Sequence, residues 1–132
     1  LKHGVGPGDR VLLYDFGAGH RKLADVTLAD KADLKPLLEK IPYEPGDGAG
    51  TNIRRPHHEA LKIAVDALPA AAIVLLTDSF NDQPKPGDPA YADYVRYYVP
   101  GGRLDRYPDT PENRDYERLL RRFRDGGGKA YG

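Results

Sequence analysis

The chain has 132 residues, enough for one domain with a sizeable buried core. Its 20 basic and 20 acidic residues cancel, so no whole-domain field draws in nucleic acid or an anionic membrane, and neither is expected as a partner. Cysteine is absent, which excludes disulfides and thiolate metal sites, and no apolar run approaches the roughly 20 residues that a bilayer requires.

The turn-rich opening "LKHGVGPGDR" leads into "RVLLYDF", a β-rich run at Arg10–Phe16. "GAGH" can turn the chain, and "KLADVTL" at Lys22–Leu28 alternates apolar with polar or small residues. Together they predict an antiparallel hairpin with the alternating member at a sheet edge. "DKADLKPLLEKI" then sets Leu34, Leu37, Leu38 and Ile41 on a helical stripe, with Asp33 as the expected cap and Pro36 in the first turn. "PYEPGDGAGTN" is a loop by composition.

Pro56 suits the first position of a second helix, with Leu61, Ala64, Val65 and Leu68 inward and Pro69 as its stop. The short apolar run Ile73–Thr77 predicts a strand buried on both faces. Asp88 and Pro89 cap and start a short helix that sets Tyr91, Tyr94, Val95 and Tyr98 on one face. Thr110 and Pro111 repeat that signal for a helix through Arg124, with Tyr116, Leu119, Leu120 and Phe123 inward and Gly126 closing it. Strand, strand, helix, helix, strand, helices, strand is the order of an α/β fold with a mostly parallel sheet and one antiparallel edge strand.

Several motifs fail on context. "GVGPG" lacks the preceding strand and following helix of a dinucleotide loop, and "GDGAGTN" lacks the lysine of a phosphate-cradling loop. "DFG" at Asp15–Gly17 has too little chain before it for a kinase catalytic loop. His57 and His58 diverge by about 100° on a helix and cannot chelate one ion together; a solvated first turn is expected. The tyrosines of "YADYVRYY" fall at helical spacing, which favours packing over base stacking, and the arginines of "RDYERLLRRFRD" read as a solvated face. Asp78 is different. It ends an apolar strand, where open α/β sheets place their ligand crevice, and Thr51 follows a glycine loop and precedes a helix. A hydroxyl and a carboxylate are hard oxygen donors of the kind that suits Mg²⁺.

These residues resemble the von Willebrand factor type A domain. "GDRVLLYDFGAGHRKLADVTLADKADLKPLLEKI" is similar to its second strand, antiparallel third strand and following helix. "GAGTNIRRPHHEALKIA" resembles its glycine–threonine loop and next helix, "AAIVLLTDSFND" its fourth strand, and "YERLLRRFRDGGGKAYG" the helix and turn before its fifth. The resemblance implies a Rossmann-like fold with helices on both faces of the sheet, in a single, partial domain over residues 1–132. A Pro/Tyr-rich insertion lies at about 84–109. It also implies a metal-ion-dependent adhesion site, with the family's threonine at Thr51 and its aspartate at Asp78. The family's Asp-x-Ser-x-Ser motif is expected upstream of Leu1.

The implied function is a binding module, not an enzyme. Mg²⁺ at Thr51 and Asp78 would capture an acidic side chain of a partner protein, and Ser79 and Asn81 would shape the rim. Two alternatives stand beside it: a metal-assisted hydrolase using Asp78 with His57 or His58, and a metal-free structural interaction domain.

Overall fold

The computed structural model of the chain describes residues 5–17, 19–41, 50–76, 82–101 and 106–131. Strands β1 (Arg10–Phe16) and β2 (His20–Thr27) form the antiparallel hairpin that the alternation predicts. Val11 pairs with Val26 and Leu13 with Ala24, so these four share one face. That face closes over Leu28, Leu34 and Leu37. The register slips between Leu13 and Tyr14, leaving Leu23 as an extra residue on β2, a bulge that twists the ribbon.

Helix α1 (Leu34–Leu38) follows a single 3₁₀ turn at Lys31–Asp33. Asp30 is the cap here, not Asp33. The Asp30 carboxylate accepts from the Ala32 N–H at 2.7 Å, while the Asp33 carboxylate reaches back to the Asp30 and Ala29 N–H groups at 3.0 and 3.1 Å. Two acids three residues apart satisfy the orphan donors reciprocally, which neither does alone.

Helix α2 (Arg54–Ala64) starts two residues before Pro56. The Asn52 side chain accepts from the Arg55 N–H at 3.1 Å and acts as the cap, so Pro56 lies inside the first turn, where its missing donor is harmless. After α2 come strand β3 (Ala72–Val74), helices α3 (Ala90–Tyr97) and α4 (Pro111–Asp125), and strand β4 (Lys129–Tyr131). Thr110 caps α4 by accepting from the Asn113 N–H, and the Gly126 N–H closes it on the Arg122 carbonyl.

The element order agrees with the sequence reading; the layering does not. A Rossmann-like, mostly parallel sheet is not what forms. The described strands make two separate two-stranded sheets, β1–β2 antiparallel and β3–β4 parallel. Only Ile73 and Val74 of the apolar run pair with β4, together with Ala72 before it, and the run is not sandwiched: Val74 is 51% and Leu76 79% exposed. The principal core is helix on helix instead. Leu61 and Val65 of α2 and its 3₁₀ extension meet Tyr116, Leu119 and Phe123 of α4, and Ile73 of β3 packs against that cluster from one side. Burying α2 against α4 satisfies the apolar stripe of each, so neither helix needs a sheet face to cover it.

Helix α3 completes the helical part through Tyr94, Tyr97 and Tyr98, all under 5% exposed. Tyr91 and Val95, expected inward, are only partly buried. Among the described residues no helix is long and apolar enough to cross a membrane.

Candidate functional site

Three separate chain segments meet around Thr51. The Thr51 N–H donates to the Asp82 carbonyl at 2.8 Å, and the Asn52 N–H donates to the Gly17 carbonyl at 2.8 Å. Gly50 makes the approach possible: its φ is +128°, and a Cβ there would stand 2.7 Å from the Asp82 oxygen and 2.9 Å from the Pro84 nitrogen. Any other residue would push the loop off the 82–84 segment.

Thr51 itself is half-buried. Beside it Asn52 is 1% exposed, and its Nδ2 has no hydrogen-bond partner among the described residues. A buried amide donor without an acceptor is costly, so among the described residues Asn52 is the least satisfied buried side chain. Asp78, Ser79 and Asn81 lie outside the described residues. Thr51 offers one hard oxygen donor, and no group of three or more His, Cys, Asp or Glu that could hold a metal is present among the described residues.

His57 and His58 are not a solvated turn. Counting back from Leu61 at helical spacing gives His58, His57 and Arg54, so the apolar stripe of α2 continues into a polar one that is still buried. His58 is 3% exposed and has both ring nitrogens engaged: Nδ1 with the Tyr97 hydroxyl and Nε2 with the Asp115 carboxylate, each at 2.8 Å. The hydrogen bonds from His58 and Arg118 hold the Asp115 carboxyl below its ordinary range. A carboxylate only accepts, so Nε2 carries the proton. Burial pushes the Tyr97 phenol up to about 12, which keeps it a donor, and in the neutral ring it donates to Nδ1. A Tyr97–His58–Asp115 chain thus ties α2 to α3 and α4. His57 turns the other way, as adjacent helical residues must, and its Nδ1 meets the Tyr116 hydroxyl at 2.8 Å. Its burial, then the neighbouring Arg54 and Arg124 charges, lower its pKa.

Arg54 continues the same network. Its guanidinium lies 3.3 Å from the centre of the Tyr107 ring and 4.5 Å from that of Tyr116. It donates to Asn113 Oδ1 and Glu117 Oε1, both at 3.0 Å. Arg55 pairs with Asp93 of α3. Compared with protein families, curated proteins and solved structures, the chain matches none.

Thr51 thus sits where three chain segments meet, and the two histidines, expected in a solvated turn, are largely buried. Both ring nitrogens of the buried His58 are committed to protein partners, which leaves it no nitrogen for a substrate or a metal. The signal that would have found the network is the polar continuation of two apolar stripes, Arg54–His57–His58 on α2 and Asn113 on α4.

Proposed function

We propose that the chain is a protein-interaction module that captures an acidic side chain of a partner at the Thr51 rim, the function implied by its resemblance to von Willebrand factor type A domains. In this reading a Mg²⁺ is held by the Thr51 hydroxyl and the Asp78 carboxylate, and Ser79 and Asn81 contact the partner. The observation that carries it is the hydrogen bond from the Thr51 N–H to the Asp82 carbonyl, which ties the glycine–threonine loop to the chain four positions after Asp78.

The chain's own contribution is positional. Gly50 lets the loop close on the 82–84 segment, Asn52 starts α2, and the buried tyrosine–histidine network holds α2 against α3 and α4. A cation supplies an open coordination position for a carboxylate when bound.

The test is a thermal melt of the chain with Mg²⁺ and with chelator, on the parent and on Thr51→Val and Asp78→Ala. At a hundredfold excess over Kd, Mg²⁺ should stabilise the parent by about 2.7 kcal/mol and leave both variants unchanged. A parent that melts identically with Mg²⁺ and with chelator overturns the cation reading.

A further inference from the structure

A cleft of about 570 Å³, within the range of small-ligand and peptide sites, opens along α4 where it faces the chain around Tyr107. We infer that it docks an extended acidic stretch of a partner protein. The inference shares with the proposed function only the acidic character of the partner and depends on no cation.

The charge is the first argument. The whole chain is neutral, yet among the described residues four arginines line this cleft against two acids, Asp109 and Glu117. Arg114, Arg118 and Arg121 sit at i, i+4 and i+7 of α4, so they form one row about 10 Å long. All three are exposed. Their present partners are easily exchanged. Arg114 holds Asp109 at 2.7 Å with both side chains more than half exposed, and Arg118 holds Asp115 at 2.6 Å while 60% exposed itself. Exposed pairs of this kind contribute little, so a better-placed carboxylate can take them over. Arg121 has no ion pair among the described residues.

Arg54 plays the opposite part. Its side chain is 12% exposed, gripped by Asn113, Glu117 and the Tyr107 ring, so it is a fixed positive floor that loses no entropy when a ligand arrives.

The second argument is the kind of cation and its surroundings. Every basic residue lining the cleft among the described residues is arginine, whose planar fork matches a carboxylate in two bonds. Tyr107, 45% exposed, and Pro108 add an apolar surface for side-chain stems and backbone. The two acids within the cleft repel a closely spaced polyphosphate or nucleic-acid backbone. An extended peptide presents alternate side chains about 6.6 Å apart, near the roughly 6 Å rise between Arg114 and Arg118, and can set its acids on the arginines and smaller residues over Asp109 and Glu117.

The test is fluorescence anisotropy on the full chain, with chelator present, using a labelled peptide of alternating glutamate and serine as the probe. Binding should weaken as salt rises, and should be about tenfold weaker for the double variant Arg118→Ala/Arg121→Ala. Arg10→Ala, on the distant hairpin, should leave it unchanged. Both arginines are exposed, and matching melts of parent and double variant establish that the fold is intact. No peptide binding, equal affinity for parent and double variant, or tighter binding of a single-stranded oligonucleotide of equal charge would each overturn the inference. A Mg²⁺-insensitive melt with peptide binding retained would remove the cation reading and leave this one standing.

Discussion

Gly50→Ala examines the contact on which the Thr51 rim depends. Two costs follow from its place in the structure. With φ at +128°, an alanine is forced into backbone space that costs about 1–2 kcal/mol. Its Cβ would also stand 2.7 Å from the Asp82 oxygen, so the loop must move away and weaken the Thr51 N–H bond to that oxygen, a further 0.5–1.5 kcal/mol or about that. The sum is about 1.5–3.5 kcal/mol. With an unfolding entropy of about 2.1 cal/mol/K per residue, a 132-residue chain should lose about 5–13 °C in Tm. Two other glycines separate the causes. Gly101 has φ +64° and, among the described residues, nothing within 4 Å of an added Cβ, so Gly101→Ala should show the backbone cost alone, about 4–7 °C. Gly87 has neither feature, and its alanine variant should melt within about 2 °C of the parent. Circular dichroism melts of the three variants suffice. If Gly50→Ala melts no lower than Gly101→Ala, the loop does not rest on Asp82 and Pro84, and the convergence at Thr51 fails with it.

Tyr97→Phe removes the hydroxyl that meets Nδ1 of the buried His58 and should cost about 1–3 kcal/mol in urea denaturation; a loss under about 0.5 kcal/mol would contradict the chain through Asp115. His57 gives the pH dependence. Its folded pKa is lowered below the ordinary 6.5, chiefly by burial, so the unfolded chain takes up the proton first. The stability it contributes is complete above 6.5 and is lost as the pH falls through that value toward the folded pKa. His20, lowered for the same reason, acts in the same window. The parent should therefore lose more Tm than His57→Gln between about pH 7.5 and about pH 5, and equal losses would refute the assignment.

What was legible in the sequence was local. The alternation at Lys22–Leu28 gave the hairpin, and Thr110, Pro111 and Gly126 bounded α4 because caps act within one turn. Asp30 was missed as the cap of its turn because its value depends on Asp33 reaching back, a reciprocal bond that single-residue preference does not weigh. The parallel-sheet architecture was misjudged for a related reason. "AIVLL" has the composition of a strand covered on both faces, but composition does not say whether a helix prefers another helix, and α2 and α4 buried their stripes on each other. His57 and His58 were read by type, as polar residues of a solvated first turn. Their helical phase, shared with Leu61 and Val65, pointed inward, and the hydroxyls of Tyr116 and Tyr97 supplied the polar ends that made burial tolerable.

Among the described residues a single backbone hydrogen bond, from the Asn52 N–H to the Gly17 carbonyl, joins the hairpin half to the helical half. Each half buries its own side chains, Ala24, Leu28 and Leu37 in one and Leu61, Val65, Tyr116, Leu119 and Phe123 in the other. The seam between them thus runs beside Thr51. Whatever settles on that threonine also fastens the seam, so amide protons of β1 and β2 should slow their exchange with solvent when the rim is filled, although the ligand never touches most of them.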